Sequence, residues 1–260
     1  MQNYLRGVFK LTIFCLLLIS YISISIPLLP MLTLFPNKTR KLCNYLLQAY
    51  SKALLLLIGI KVKTNIQSFK IGGELIVCNH LGYLDILVIA SRFPTSFVTS
   101  LEMKRTAVLG QLCSLAGCVF VNRKNKDNIG HEIQEITEAL SAGINVAVFP
   151  EATSTNGESV LRFRRPLFQA VIDSQTLCRP MTLNYLKLSG KKVCIQNRDK
   201  IFWYGDMTFF DHLWGVFQES SIEVYLDISE QIPVHSRTKS ADLAMLTQEI
   251  VTKKFEPIFS

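Results

Sequence analysis

At 260 residues with 49% hydrophobic side chains, the chain has room for one large domain, alone or with a membrane segment, and a mean hydropathy of +0.27 favours the segment. A formal charge of +8 and a pI near 9.1 allow nucleic acid, an anionic membrane or a phosphorylated substrate as partner; no zinc-finger spacing, RNP-like aromatic motif or basic helix supports nucleic acid. The seven cysteines are odd in number, lie mostly in apolar runs and include no CxxC pair, which argues against a disulfide framework or zinc site and for a reducing compartment.

Leu11 to Phe35 contains no charged residue and is long enough to span a bilayer core of about 30 Å. Pro27 and Pro30 each remove a helical hydrogen bond, so a kink or stop is expected near Ile26. The apolar stretch exceeds a signal-peptide core and lacks a clean small-residue cleavage site, which favours an anchor. Arg6 and Lys10 precede it and Lys38, Arg40 and Lys41 follow, so flanking charge sets no orientation and a hairpin or in-plane anchor also fits. Tyr45 to Ile60 reads as an amphipathic helix, lying on the membrane or packed on the domain. Residues 1–65 are therefore expected to be an anchor with an amphipathic helix, and residues 66–260 the catalytic domain.

From Glu74 onward β-type runs alternate with helical ones. Strands are expected at Leu75 to Cys78, Ser96 to Thr99, Val119 to Asn122, Asn145 to Phe149, Met181 to Tyr185 and Glu223 to Ile228. Helices are expected near Ile86 to Ser91, Val108 to Leu115, Ile129 to Ala142, Phe163 to Asp173 and Ala241 to Phe255. This is the pattern of an α/β fold, a mostly parallel central sheet flanked by helices, here behind a membrane-associated amino terminus. Ligands of such sheets collect at the carboxyl ends of the strands, which groups Asn79 and His80, Arg123, and Pro150 with Glu151.

His80 and Asp85 would lie about 140° apart on one continuous helix, because each residue turns about 100°. They can meet only if the backbone bends between them, and Gly82 permits the bend. An imidazole so paired suits a general base held in one tautomer; a turn with a helix cap is the plainer alternative. Arg123, with Lys124 and Lys126 behind it, could grip a phosphate through its planar fork, or form a solvated basic loop.

Asn79-His80-Leu81-Gly82-Tyr83-Leu84-Asp85 resembles the NHxxxxD block of the glycerolipid acyltransferases of the lysophosphatidate acyltransferase superfamily. Gly117 to Arg123 is similar to that family's GxxFxxR block, Phe149 to Ser154 to its FPEGTxS block, and Arg179-Pro180-Met181-Thr182-Leu183 to its short fourth block. Ala152 stands where the family most often has glycine, and Pro166 where a glycine commonly follows an aromatic and a basic pair.

The resemblance implies a membrane enzyme, with the catalytic domain facing the cytoplasm, that moves an acyl chain from acyl-CoA or acyl carrier protein to a lysophospholipid hydroxyl, with 1-acyl-glycerol-3-phosphate as the leading acceptor. His80 would be the base and Asp85 its orienter, while Asn79, Arg123, Glu151 and Thr153 would hold the acceptor's polar head. No cofactor and no metal are required, and the absence of a GxSxG elbow favours direct transfer without an acyl-enzyme. Phe202 to Met207 and His212-Leu213-Trp214 look similar to segments of the branch that acylates lyso-ornithine lipid, although an aromatic core or membrane-facing cluster reads equally well. A non-catalytic lipid-binding protein would have no need of a base and its orienter.

Overall fold

The computed structural model describes residues 1–66, 72–106, 109–121 and 129–259. The apolar amino terminus forms helix α1 (Gln2–Ser25), followed by a 3-10 turn over Ile26–Leu28 that contains Pro27 and a short α2 (Leu29–Leu34). The interruption expected near Ile26 is present, at the first residue pair where a missing N–H forbids a regular turn. Pro36 opens α3 (Pro36–Ile58), where its fixed φ suits a first helical turn, so the second helix begins well before Tyr45. Gly59 closes α3 in the left-handed conformation at φ 88°, and a Cβ there would sit 2.8 Å from the Ser220 carbonyl oxygen. The two long helices run antiparallel. Lys10 Nζ donates to the Ile58 carbonyl (2.6 Å), and Ser20 Oγ pairs with Tyr50 Oη (2.5 Å) midway along.

The chain then runs through β1 (Ile60–Thr64), β2 (Glu74–Cys78), α4 (Leu84–Arg92), β3 (Thr95–Ser100), α5 (Leu101–Lys104), α6 (Leu109–Leu115), β4 (Val119–Val121), α7 (Ile129–Ser141) and β5 (Asn145–Val148). After a long loop and a 3-10 turn at Pro166–Phe168 come α8 (Gln169–Asp173), β6 (Leu177–Leu188), β7 (Lys191–Lys192), α9 (Phe209–Gln218), β8 (Ile222–Ile228), β9 (Ile232–Pro233) and α10 (Ser240–Lys254). The sheet order is β1-β8-β6-β2-β5-β3-β4, with β7 and β9 also paired to β6. β6, β2, β5, β3 and β4 are parallel, whereas β8 and its parallel partner β1 run against them. The sheet is thus mixed but mostly parallel.

Every residue of β2 is buried, as a strand covered on both faces requires. Ile76 and Cys78 face a core built with α3, α4 and α9, while Leu75 and Val77 face one built with α7, α8 and α10. The α1–α3 hairpin packs over the first of these layers, α3 against α4 and α1 against α9. β1, which precedes residue 65, pairs along its whole length with β8 and belongs to the sheet.

Candidate active site

β2 ends at Cys78, and the next seven residues are fixed from every side by hydrogen bonds. Asn79 continues the pairing of β2 with β6 through its side chain: Oδ1 accepts the Leu183 N–H (2.8 Å) and Nδ2 donates to the Leu183 carbonyl (3.0 Å). The His80 N–H donates to Glu151 Oε1 (2.7 Å), and the Thr155 N–H donates to the His80 carbonyl (2.9 Å). From the opposite flank the Trp203 N–H donates to the Leu81 carbonyl (3.0 Å). Gly82 passes so close that a Cβ would meet the Trp203 nitrogen at 2.9 Å, which is why this position must be glycine.

Asp85 lies in the first turn of α4, where the helix dipole favours its charge. Its Oδ2 accepts the N–H groups of Leu81 (2.6 Å) and Gly82 (3.0 Å) and stands 2.9 Å from His80 Nδ1. Oδ1 accepts from the Tyr185 hydroxyl (2.8 Å). Asp85 is fully buried, whereas the His80 side chain keeps 20% of its surface exposed. A carboxylate facing Nδ1 assigns the proton to that nitrogen and the lone pair to Nε2, which has no partner among the described residues. The imidazole plane is set by stacking on Phe149, with centroids 4.1 Å apart and planes at 14°. The bent backbone therefore brings the histidine and aspartate together, leaving one ring nitrogen able to accept a proton.

Glu151, expected at the acceptor's head group, has both carboxylate oxygens on backbone N–H groups. It is buried, and Oε2 accepts the Leu161 N–H (2.7 Å) while Oε1 holds the His80 N–H. Burial pushes its carboxyl up to about 7, against the pull of the two amides and with help from the neighbouring Asp85 charge. Asn79, also expected to touch substrate, is 1% exposed with both amide atoms on Leu183. Both residues brace the loop that carries His80. Thr153 is exposed on the same loop, and its hydroxyl donates to the adjacent Ser154 carbonyl (3.4 Å). Arg123, with Asn122, Lys124 and Lys126, lies outside the described residues. Ala152 has φ 62°, in the left-handed region that the family's glycine would occupy without strain.

Cys78, the cysteine nearest His80 in sequence, packs into the core layer shared with α3, α4 and α9, and its thiol is held well above its usual range by burial and by the Asp85 and Glu151 charges. It is a core thiol. Three contributors were not legible in the sequence: Tyr185 on β6, Trp203 before α9, and Phe149 as the surface on which the imidazole rests. Phe97 stacks in turn on Phe149 (6.4 Å) and lines a half-open apolar cavity of about 220 Å³ between α1, α3, α4, α6 and α9, with Phe14, Leu54, Tyr83 and Leu213 among its walls.

Residues 59–184 match the family model described as Acyltransferase. The chain is 27% identical over 239 residues to the lyso-ornithine lipid O-acyltransferase of Rhizobium meliloti (strain 1021), covering 89% of this chain and 82% of that protein. It is 31% identical over 155 residues to the 1-acyl-sn-glycerol-3-phosphate acyltransferase of Neisseria gonorrhoeae, covering 60% and 58%. The fold is similar to the crystal structure of the 1-acyl-sn-glycerophosphate acyltransferase PlsC from Thermotoga maritima, with a TM-score of 0.64 at 16% identity over 96% of this chain and 93% of that one. The four sequence blocks all lie inside the segment that matches the Acyltransferase model, and the curated relatives that the chain resembles are named as lyso-ornithine lipid and 1-acyl-sn-glycerol-3-phosphate acyltransferases.

Proposed function

We propose that the protein transfers an acyl chain from acyl-CoA or acyl carrier protein to the free hydroxyl of a lysolipid, with His80 as general base. The observation that carries this reading is the contact between His80 Nδ1 and buried Asp85, which reserves Nε2 for the substrate proton. Nε2 takes the hydroxyl proton as the acceptor oxygen attacks the thioester carbonyl. The tetrahedral intermediate expels the thiolate, and the imidazolium, stabilised by Asp85, returns the proton to the departing sulfur. A fully buried Cys78, whose thiol burial keeps protonated, supports direct transfer over an acyl-enzyme.

1-Acyl-sn-glycerol-3-phosphate is the acceptor favoured by the Gly117 to Arg123 block, where Arg123 would grip the phosphate. Lyso-ornithine lipid is the second reading, and one observation favours it. The relatives of that name from Rhizobium meliloti and Brucella abortus align over 239 and 236 residues, through the aromatic stretch from Phe202 to Trp214, against 155 for the Neisseria relative.

The setting we propose is a membrane with the sheet domain on its cytoplasmic side. Within Gln2–Leu34 an 18-residue window has a mean hydropathy of 2.3 with 11% of it buried, and the α1–α3 hairpin returns both its ends to the domain. Such a hairpin suits an anchor in one leaflet better than a through-going span. Seven free cysteines suit a reducing side. The apolar cavity two stacked rings from His80 offers room for part of an acyl chain.

Assaying the purified protein on both acceptors with both donors decides between the readings. His80→Ala is expected to lower turnover by about 10²–10⁴ with an unchanged circular dichroism spectrum. Near-wild-type turnover in that variant would remove the base from the mechanism.

A further inference from the structure

The loop that braces His80 continues into Arg162, Arg164 and Arg165, all three exposed. Their backbone is tied to the site at two points: the Leu161 N–H donates to Glu151 Oε2 (2.7 Å) and the Arg164 N–H to the Pro150 carbonyl (2.9 Å). The arginines therefore stand on the rim of the site, one carboxylate away from the His80 backbone. Among the described residues none of the three has an ion pair, and the acid preceding them in the chain, Glu158, is already held by Arg198 (2.7 Å). Three like charges within four residues repel one another, so an anion placed among them gains from all three at once.

Their side of the fold identifies the anion's origin. Phe163, between the arginines, packs into the core shared with α7, α8 and α10, and Pro166 leads directly into α8. The apolar α1–α3 hairpin covers the opposite layer of the sheet. A ligand arriving at the arginines therefore comes from the side away from the hairpin, which is the aqueous side when the hairpin meets lipid. Of the two substrates, the acceptor is a lipid and the thioester donor is water-borne and anionic.

We infer that Arg162, Arg164 and Arg165 form the docking site for the anionic end of the acyl donor, the phosphate at the foot of its thioester arm. This rests on the acyl-transfer reading above. Guanidinium groups suit it, since their planar forks bind phosphate oxygens in pairs.

The test uses the full chain carrying Arg162→Glu, Arg164→Glu and Arg165→Glu together. A control with the same change of charge carries Lys61→Glu, Lys191→Glu and Lys192→Glu, exposed positions on β1 and β7. Initial rates are measured with palmitoyl-CoA and with palmitoyl-acyl carrier protein while acceptor and donor are varied in turn, and the affinity for free CoA and for the unacylated carrier protein is measured by calorimetry. The arginine variant is expected to raise the donor KM and Kd by about tenfold or more, with kcat and the acceptor KM within about twofold of wild type. The control should change neither. A rise with both donors assigns the shared arm phosphate, and a rise with one donor names that donor's own anionic groups as the source. Unchanged donor KM and Kd, or a rise in the acceptor KM instead, would overturn the inference. A wild type that turns over, yet whose donor KM is indifferent to the arginines, sinks this inference alone. A wild type inactive on every lysolipid sinks the functional reading, and the calorimetry still decides whether the arginines bind the donor.

Discussion

Asp85 directs two oxygens at four polar hydrogens, and among the described residues Tyr185 alone supplies the partner of Oδ1. Burial and the adjacent carboxylate keep the Tyr185 hydroxyl protonated, so it remains a donor at any working pH. Tyr185→Phe is expected to cost about 1–3 kcal/mol of stability by leaving a buried carboxylate oxygen short of a donor. Turnover should fall less than for His80→Ala, because Oδ2 still holds the ring. An unchanged denaturation midpoint would show that the hydroxyl does not help to hold Asp85. Ala152 offers the opposite case. A left-handed L-residue costs about 1–2 kcal/mol, and glycine would give back about 0.4–1 kcal/mol through unfolded-state entropy. Ala152→Gly should therefore stabilise by up to about 1 kcal/mol, and a lowered midpoint on urea unfolding would contradict the strain. The meeting of His80 with Asp85 was legible because a five-residue spacing with a glycine inside admits few backbones. The roles of Asn79 and Glu151 were not, because a polar residue at a strand end can turn toward ligand or toward the neighbouring loop, and only the position of β6 and of Leu161 decides which.

Most strands were read well from periodicity, edge strand β4 among them, whereas β1 and β6 were not. β2 and β5, apolar after their first residues Glu74 and Asn145, fell within a residue of their expected limits. β1 reads Ile-Lys-Val-Lys-Thr and alternates buried with partly exposed positions, a short edge strand whose lysines guard it against further pairing. That pattern follows an apolar helix so closely that it merged with the anchor. β6 extends from Leu177 past Pro180 to Leu188, beyond the Met181 to Tyr185 expected, because proline within it read as a boundary. α9 escaped notice as a helix because aromatic residues obscure its period, yet it carries much of the contact with α1. That contact is capped by charge. Lys10 donates to the Ile58 carbonyl (2.6 Å) and the Glu219 carbonyl (2.8 Å), the ends of α3 and α9, and Arg6 donates to the Gln218 carbonyl (2.8 Å). Lys10→Met keeps the stem and removes the ammonium from two helix ends, so it should cost about 1–3 kcal/mol and raise amide exchange along α1. Exchange equal to wild type would mean that packing alone seats the helix.

At the scale of the whole molecule, the outward surface of the hairpin is a continuous reason to seek lipid. Phe9, Leu16 and Ile19 are exposed by 64%, 58% and 61%, which no soluble partner in the fold relieves. Changing all three to serine touches no core contact and removes several kcal/mol of transferable apolar surface, at roughly 1.5–3 kcal/mol per side chain. Sedimentation with phospholipid vesicles should then weaken by at least about tenfold, while the circular dichroism spectrum stays as in wild type. Undiminished sedimentation would assign vesicle binding to another surface. The Lys10 ammonium bears on the history of the chain as well as on its final state. Its two acceptors lie 48 and 209 residues downstream, so during synthesis α1 exists long before the second of them has been made. For that interval the helix has α3 to settle on but not α9, and lipid is the shelter at hand for the face that α9 will cover. Seating α1 is thus a late event, a signal that translation has passed α9, and a chain stopped short of Gln218 would leave both cations of the first helix searching for carbonyls that were never added.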